Sequence, residues 1–377
     1  MPRRAPSRGW DLGFGFWDLR GQPPRARFAV EPRSEMEHLV SAMANINETG
    51  RRRTRKLPFA LDPYQASPIL VQALHEDLGT GDITTRTFVP QDIGAVGLIR
   101  FHEEAVVAGL PLLAMIFSSV DRDLAVQLLA REGDRVSAGT VVAEITGRAA
   151  PILTGERVAL NFLQRLSGIA SLTRLFVERV ADTGAKILDT RKTAPGLRYL
   201  EKYAVRVGGG INHRTGLWDA VLIKDNHLAI MEHAGIRGEL AQRIADLREQ
   251  MSPAPVIEAE AKTIDEVEEL LAADVDIVLL DNMDPQMLMR GMLKIRTHNE
   301  TARKRAGARG RPRLVLAEAS GGVNLETVGA ISATGVDRIS VGALTHSARA
   351  IDISMDLEPA TKTARRAGSD TRARRRR

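Results

Sequence analysis

Two hydrophobic patterns alternate along most of this chain, one typical of helices and one typical of strands. Residues 156–180 carry apolar side chains three and four positions apart, which predicts one long amphipathic helix. Short apolar runs such as AKILDT (185–190), DAVLIK (219–224) and DIVLLDN (276–282) predict buried strands. A helical pattern separates each run from the next, up to a last predicted strand, RISVGAL, at 338–344.

This alternation predicts the fold class. Strands that alternate with helices run parallel, because each helix returns the chain to the same end of the sheet. Six such strand–helix units predict an α/β domain built as a parallel (β/α) barrel. A doubly wound open sheet is the alternative.

The segment before the barrel has a mixed pattern. ILVQALHEDL (69–78) predicts a helix, and GTGDITTRTFV (79–89) predicts a turn that enters a strand. AVGLIRFHEEAVVAGL (95–110) and VVAEITGRA (141–149) alternate as strands do. We therefore predict a small first domain of helices and strands at residues 59–150, followed by the barrel at residues 151–350.

The two ends of the chain carry its positive charge. Residues 1–58 hold twelve basic and six acidic residues without a sustained period, which predicts a disordered or loosely attached arm. Residues 361–377 form a second basic tail, with eight basic residues and one acidic residue. The net charge of +6 becomes −7 once both ends are removed, so nucleic-acid binding by the arms is not expected to define the function.

Composition excludes several other classes of protein. The chain has 377 residues and no cysteine, so thiolate catalysis, cysteine-held metals and disulfides are excluded. It has no apolar run of about 18 residues, the length that predicts a membrane span. The basic opening segment lacks the continuous apolar stretch of a signal peptide, which favours a cytoplasmic location.

Basic residues follow the predicted strands. In a parallel barrel the loops after the strands open at one mouth, so these side chains are expected to converge. A dense cationic group in a barrel mouth needs an anion, and a planar di-acid suits it because guanidinium groups bind carboxylates with paired hydrogen bonds. For each residue alone, a surface salt bridge is the simpler interpretation. The group consists of Arg191, Lys192, His213, Arg214 and Lys224.

Two acidic residues, Glu260 and Asp281, end consecutive strands of the same domain. They could bind ribose hydroxyls or share a Mg²⁺ that holds a pyrophosphate. The alternative is an internal ion pair with Lys192 or Lys224.

Glycine-containing turns follow the last two strands. The first turn is Ser320-Gly321-Gly322, and the second is Val341-Gly342-Ala343. Glycine lets backbone N–H groups approach oxygen anions closely, and loops after the final barrel strands often bind phosphate. One such turn means little, but two on adjacent strands opposite a basic group predict a phosphate site.

Long motifs from about Leu74 to Leu357 resemble those of the quinolinate phosphoribosyltransferase family, whose members are carboxylating nicotinate-nucleotide pyrophosphorylases of NAD biosynthesis. The motifs occur in the family's order. They are LHEDLGTGDITT, GERVALNFLQRLSGIAS, ILDTRKTAPGLRYLEKYAV, GGGINHRTGLWDAVLIKDNH, EAEAKTIDE, VLLDNMDP, LAEASGGVNLETV and TGVDRISVGALTHSA.

The resemblance implies an N-terminal α/β sandwich domain joined to an incomplete α/β barrel, with residues 351–360 returning to the first domain. It also implies a homodimer, or a higher oligomer, in which the first domain of one subunit covers the barrel mouth of the other. Mg²⁺ is the implied cofactor, and quinolinate and phosphoribosyl pyrophosphate are the implied substrates.

The resemblance also assigns roles to individual residues. The quinolinate set is Arg191, His213, Arg214 and Lys224, joined by Arg157 from the neighbouring subunit. The ribose-phosphate and pyrophosphate set is Lys192, Glu260, Asp281 and the two glycine turns, and Thr190 also belongs to the substrate-binding residues. Lys192, Lys224, Glu260 and Asp281 are the implied catalytic residues, with Glu260 and Asp281 as the metal ligands.

The chain departs from the family pattern at three places. Residues 297–313 (THNETARKRAGARGRPR) are longer and richer in arginine than the family pattern, which predicts an extended loop near the mouth. The two arms have no counterpart, and EAEAKT replaces a more β-branched motif, in which the second acid, Glu260, is the one that aligns with the family.

Two other functions stay open on the sequence. One is a related enzyme that acts on another acid, such as a molybdenum-associated relative, and loss of the basic set would favour it. The other is a non-enzymatic binder of RNA or anionic surfaces that uses the arms.

Overall fold

The computed structural model describes residues 60–307 and 310–359, so the arms predicted at 1–58 and 361–377 lie outside the described residues. The first domain is built on an antiparallel sheet with the strand order β12–β1–β5–β3, in which β12 (Ile353–Pro359) comes from the end of the described chain. Strands β2 and β4 form a separate two-stranded ribbon. Its elements are α1 (Pro63–Leu78), α2 (Ile83–Phe88), β1 (Gly94–Phe101), β2 (Ala105–Val106), α3 (Leu110–Val120), β3 (Ala125–Leu128), β4 (Arg135–Val136) and β5 (Val141–Arg148).

The alternation seen in the sequence places one face of this sheet in the core. Residues of β1 alternate between half-buried and buried positions, and Ile99 and Phe101 are completely buried. Helix α3 supplies Phe117 and Met115, which are also completely buried. Burial of such side chains contributes roughly 1.5–3 kcal/mol each, so this layer stabilises the first domain.

The strand predicted after residue 82 is wrong, because residues 83–88 form helix α2. The Asp82 side chain accepts a hydrogen bond from the Thr85 backbone N–H at 2.8 Å, which is the geometry of a helix N-cap. The hydroxyl of Thr154 donates to the other Asp82 oxygen at 3.3 Å. The cap therefore overrides the β-branched composition of ITTRTF and ties α2 to the long helix of the next domain.

We expect Asp82→Ala to lower the free energy of unfolding by about 1 kcal/mol, the usual effect of removing an N-cap. The cap hydrogen bonds to Thr85 also lower the pKa of Asp82, so this contribution is present above the ordinary carboxyl pKa and is lost as the pH falls below it. Urea unfolding at pH 7 measures the difference. Asp82→Asn is the control because asparagine caps nearly as well, and an equal loss in both variants would contradict the role of the cap.

Helix α4 (Ala149–Arg179) has 31 residues and joins the two domains. It begins seven residues before the start that the apolar pattern predicted, directly after β5. Leu163, Leu166 and Ile169 are buried along it, and it packs against β1 and β12 of the first domain and α5 of the second. A single helix therefore belongs to the core of both domains.

The second domain is a six-stranded parallel sheet with helices between its strands. Its strands are β6 (Lys186–Leu188), β7 (Val221–Ile223), β8 (Ile257–Ala261), β9 (Ile277–Asp281), β10 (Leu316–Ser320) and β11 (Arg338–Ser340). Its helices are α5 (Arg198–Val207), α6 (Asp225–His233), α7 (Leu240–Gln250), α8 (Ile264–Ala272), α9 (Pro285–Ala306), α10 (Val328–Ala333) and α11 (Ala343–His346), with a 3₁₀ turn at Arg237–Glu239.

The strand order is β6–β11–β10–β9–β8–β7, and every pairing in it is parallel. The first strand thus lies beside the last, as in a barrel, whereas a doubly wound sheet reverses its order at a switch point. The order confirms the incomplete barrel, and the open-sheet alternative is wrong. Between β6 and β7 only an isolated bridge, Leu188 with Ile211, spans the gap among the described residues.

The arginine-rich segment does not form the loop predicted near the mouth. Helix α9 continues through it to Ala306, and the chain then enters the amino end of β10. Arg313 contacts the carboxylate of Asp276, which directly precedes β9, and Arg248 lies 3.3 Å from the same residue. The described part of the segment therefore lies at the end of the barrel opposite the mouth, because helix-forming residues extend α9 by several turns.

The chain finally returns to the first domain. Strand β12 (Ile353–Pro359) pairs antiparallel with β1, from Ile353 opposite Phe101 to Pro359 opposite Ala95. In the part of the chain that the structure describes, no helix combines the length and hydrophobicity needed to cross a membrane.

Candidate active site

The carboxyl ends of the barrel strands surround a cavity of about 860 Å³, which we call the mouth cavity. It brings together all but two of the predicted site residues. Those that line it are Thr190, Arg191, Lys192, His213, Arg214, Lys224, Glu260, Asp281, Ser320, Gly321, Gly322, Gly342 and Ala343. Val341 is buried behind the cavity, and Arg157 is exposed on α4 and does not line it.

Two arginines form the cationic side of the cavity. The Nε atom of Arg191 is buried and has no hydrogen-bond partner. Burial lowers the pKa of Arg214, and the positive charge of Arg191 acts in the same direction. One hydrogen bond, from Arg214 Nη1 to the carbonyl of Ala220 at 3.3 Å, anchors the second guanidinium. Two mutually repelling cations with free donors favour an anionic ligand between them.

Lys224 and Glu260 form an ion pair, which was the alternative considered for the acidic residues. Lys224 Nζ lies 2.6 Å from Glu260 Oε1, and the backbone N–H of Asp225 donates to Oε2 at 3.1 Å. Both oxygens of Glu260 are thus engaged within the protein. Asp225 in turn pairs with Lys262 at 2.6 Å, so an alternating charge network forms one rim of the cavity.

The glycine turns form the opposite side of the cavity. Gly321 has a φ of 94°, and a Cβ atom there would lie 2.2 Å from Asn282 Oδ1, so only glycine fits. At Gly342 a Cβ would lie 3.0 Å from Lys192 Cδ and 3.1 Å from His346 Nε2. These close contacts leave little room for a side chain at either turn, and both glycines line the mouth cavity, where their backbone N–H groups can approach a ligand.

A buried ion pair fixes the loops beneath the cavity. Lys202 contacts the carboxylate of Asp189, and both side chains are almost fully buried. Asp189 also accepts hydrogen bonds from the Asn212 side chain at 2.5 Å and from the His213 backbone N–H at 2.9 Å. Burial raises the pKa of Asp189 and lowers the pKa of Lys202, so the pair depends on these bonds.

His213 is held by the protein through both ring nitrogens. Its Nε2 lies 2.9 Å from Glu258 Oε2, and its Nδ1 accepts a hydrogen bond from the Arg214 backbone N–H at 2.7 Å. This pattern fixes the tautomer with the hydrogen on Nε2. In this conformation His213 orders the backbone of Arg214 and offers no free ring N–H to a ligand.

Sequence reasoning missed several residues of the site. His346, Asn282 and Asp225 line the mouth cavity and were contained in the quoted motifs without being assigned. Glu258 lies in the same strand as Glu260, with one residue between them, and so faces the barrel interior as Glu260 does. That two-residue spacing was the signal that could have identified Glu258.

The fold and the site together define a class of protein. An α/β barrel whose mouth places unpaired guanidinium groups opposite glycine turns is an anion-binding enzyme scaffold, suited to one carboxylate ligand and one phosphorylated ligand. Residues 82–167 match the quinolinate phosphoribosyl transferase N-terminal domain, and residues 169–356 match the C-terminal domain of the same family. The chain belongs to this family, and the two matched ranges meet within α4.

Individual relatives agree with this assignment. A probable carboxylating nicotinate-nucleotide pyrophosphorylase of Synechocystis is 41% identical over 77% of this chain and 92% of its own length. Its counterpart in Bacillus subtilis is 39% identical over 79% of this chain and 95% of its own length. The crystal structure of NadC from Streptococcus pyogenes has a TM-score of 0.71 at 37% identity, covering 80% of this chain and all of that chain.

Proposed function

We propose that this chain transfers the phosphoribosyl group of phosphoribosyl pyrophosphate to quinolinate. The products are nicotinate mononucleotide, pyrophosphate and CO₂, a reaction of NAD biosynthesis that makes the enzyme a nicotinate-nucleotide diphosphorylase (carboxylating). The observation that carries the proposal is the pair of guanidinium groups, Arg191 and Arg214, across one cavity from the Gly321 and Gly342 turns: neither forms a salt bridge with another described residue, and Arg191 Nε has no hydrogen-bond partner. Relatives with names for this reaction match most of the chain.

The chemistry requires positioning more than proton transfer. The quinolinate nitrogen forms a bond to C1 of the ribose while the bond from C1 to the pyrophosphate oxygen breaks. Arg191 and Arg214 would hold the two carboxylates, and Lys192 with the glycine turns would stabilise the charge that develops on pyrophosphate. The alkylated ring nitrogen is cationic, so it stabilises the electron pair left at C2 when the 2-carboxylate leaves as CO₂. This electron pair then takes a proton from water to form the C2–H bond of nicotinate mononucleotide.

The predicted pair of metal ligands needs revision. Glu260 does not fit a resident Mg²⁺ here, because Lys224 and the Asp225 N–H engage its two oxygens. Asp281 lines the cavity, and among the described residues its carboxylate accepts one hydrogen bond, from the Asn282 side chain to Oδ2 at 3.1 Å. Mg²⁺ is commonly bound by one or two carboxylates together with substrate phosphates. We therefore propose that Mg²⁺ enters with phosphoribosyl pyrophosphate and meets the protein at Asp281.

A coupled assay tests the proposed function. The purified chain is incubated with quinolinate, phosphoribosyl pyrophosphate and Mg²⁺, and nicotinate mononucleotide and CO₂ are measured. We expect both products in equal amounts. Turnover with another aromatic acid and none with quinolinate would favour the related enzyme instead, and salt-sensitive RNA binding by a catalytically inactive chain would favour the non-enzymatic alternative.

We also propose a homodimer with composite active sites. Arg157 is exposed on α4 and does not reach the mouth cavity of its own chain. Large apolar side chains are exposed on α2 and on the loop before β7: Ile83, Phe88, Leu217 and Trp218 are 74–81% exposed. Exposed apolar surface of this kind favours a protein partner, and a second copy would also bring Arg157 to a mouth. Sedimentation velocity measures the oligomeric state, and a monomer at micromolar concentration would contradict the proposal.

We expect the two arms to be dispensable for turnover. A chain truncated to residues 59–361 retains every residue of the mouth cavity and all the described helices and strands. Terminal segments tolerate truncation when nothing buried depends on them. The coupled assay is expected to give the same specific activity as the full chain, and a loss above about tenfold with an unchanged circular dichroism spectrum would mean that an arm contributes to the site.

The location predicted from the sequence, the cytoplasm, stays a proposal. Relatives from tobacco species carry mitochondrial names, so location varies within the family. Fractionation of the native cells, with the chain detected by an antibody in each fraction, measures its location, and its presence in an organelle fraction would contradict the proposal.

A further inference from the structure

Below the mouth cavity lies a cluster of charged groups in the barrel core, which we call the core cluster: His213, Glu258, Glu318 and Arg338. His213 Nε2 is 2.9 Å from Glu258 Oε2 and 3.5 Å from Glu318 Oε1. Arg338 Nε lies 2.8 Å from Glu318 Oε2. The side chains of Glu258 and Glu318 are 4% and 0% exposed, so solvent does not neutralise them.

The core cluster has more negative than positive charge. With the imidazole neutral, two carboxylates face one guanidinium, which leaves one buried negative charge. Glu258 Oε1 and both oxygens of Glu318 have no hydrogen-bond partner, and the contact from Arg338 Nε lacks hydrogen-bond alignment. Because a buried charge without compensation is costly, the cluster favours one additional proton.

Geometry decides which group carries this proton. His213 cannot carry it at Nδ1 without losing the hydrogen bond that this atom accepts from the Arg214 N–H. Glu258 already accepts from His213 Nε2, so Glu318 is the remaining position.

The pKa of Glu318 agrees with this position of the proton. Burial raises this pKa to about 7, and the negative charge of Glu258 also raises it, whereas the positive charges of His213 and Arg338 lower it. Burial lowers the pKa of His213, but the neighbouring carboxylates of Glu258 and Glu318 have the larger effect, and the pKa of His213 is raised. This raised pKa has the same cause, the excess negative charge of the core cluster.

The other elements around Glu318 contribute no further ionised group. Strand β11 supplies Arg338 and Ser340, and both lower the pKa of Glu318. On β9 the residue in register with Glu318 is Leu279. His213 comes from the loop before β7 and Glu258 from β8, so the titration of Glu318 depends mainly on the groups already described.

We propose that Glu318 is a positioning residue for quinolinate binding: its proton keeps the core cluster neutral, so that the substrate carboxylates meet Arg191 and Arg214 with no buried anion beneath them. The proposal rests on the proposed function, because it assumes that the mouth cavity binds a di-acid. Glu318 acts through His213, which lines the cavity and orders the backbone of Arg214.

The direction of the pH dependence follows from the raised pKa of Glu318. The proton is present below the folded-state pKa and is lost as the pH rises above about 7. The di-acid ligand, a dianion, then binds above a core cluster that is negatively charged. We therefore expect its affinity to fall by up to about tenfold per pH unit, until the pH at which most of the remaining binding is to the protein with Glu318 deprotonated.

Phthalate tests this step without turnover, because it carries the same two adjacent carboxylates and has no ring nitrogen to react. Titration calorimetry of the full chain is run from about pH 7 to pH 9, where both carboxyl groups of the ligand are ionised. Repeating each titration in buffers of different ionisation enthalpy gives the number of protons taken up on binding. We expect the wild-type chain to bind more weakly as the pH rises and to take up close to one proton at the upper end.

Glu318→Gln imitates the protonated acid permanently. We expect its affinity for phthalate to be nearly constant from pH 7 to pH 9, with no proton uptake, and at pH 9 to exceed that of the wild type by about tenfold or more. Glu249→Gln, the same change at an exposed position on α7, is expected to keep the wild-type profile. A residue needed only for folding would instead weaken binding at every pH.

A second variant keeps the test decisive if Glu318→Gln does not fold. Arg338→Met removes the cation beside Glu318, so the midpoint of the pH dependence is expected to move to higher pH. An unchanged midpoint, wild-type binding without pH dependence, or one metal ion per chain that Glu318→Gln removes would each overturn the proposal. Failure of the wild type to bind phthalate at any pH would instead contradict the proposed function.

Discussion

Replacing quinolinate by nicotinic acid is expected to lower kcat/KM by at least about 10³-fold. Nicotinic acid lacks the 2-carboxylate, so one of the two guanidinium groups, Arg191 or Arg214, would remain without an anion. Enzymes whose polar groups are left unpaired by an analogue reject that analogue by roughly 10⁴–10⁵. Lys224 contributes less to the excess of positive charge in the mouth cavity, because Glu260 already forms an ion pair with it.

Steady-state kinetics with the two acids at saturating phosphoribosyl pyrophosphate measure the discrimination. Arg191→Met is the matched test: it is expected to lower kcat/KM for quinolinate strongly and to change the small value for nicotinic acid by less than about tenfold. Comparable values of kcat/KM for the two acids in the wild type would mean that Arg191 and Arg214 do not bind the two carboxylates of quinolinate.

Mixing two inactive variants is expected to restore activity if the active site is shared between subunits. Arg157→Ala is expected to weaken quinolinate binding by roughly 2–5 kcal/mol, the usual effect of removing one partner of a buried charge pair. Lys192→Ala is expected to impair the phosphoribosyl half of the reaction. In a mixed dimer, one site lacks both residues and the other lacks neither.

Subunit exchange between these variants is expected to return about a quarter of the wild-type activity, because about half of the dimers are mixed and half of their sites are intact. Mass spectrometry of differently labelled chains verifies the exchange. Each variant exchanged with itself is the control and stays inactive. Verified exchange without recovery would show that Arg157 acts within its own chain, and the composite site would be wrong.

The sequence by itself determined the parallel α/β organisation of the second domain, and the strand order in the structure decided that it is a barrel and not an open sheet. Runs such as IVLL (277–280) are continuously apolar because a parallel strand is buried on both faces. The order of strand and helix then places the residues after each strand at one mouth, which is why most of the predicted site residues line one cavity.

Predictions of secondary structure from local sequence patterns were wrong where a helix cap or helix propensity favoured a helix. ITTRTF (83–88) has β-branched residues, yet Asp82 caps it as a helix. The arginine-rich segment was predicted as an extended loop because it is longer and richer in arginine than the family pattern, but arginine and lysine are good helix formers and α9 continues into it as far as Ala306.

Only the tertiary structure decided which charges meet. The sequence left open whether Glu260 pairs with a lysine or binds a ligand, because this depends on distances between strands that are far apart along the chain. The structure pairs it with Lys224 and leaves Arg191 Nε without a partner. Likewise Glu318 and His213 are separated by about a hundred residues, and burial in one barrel core, where charges interact strongly and solvent does not screen them, makes them act on each other.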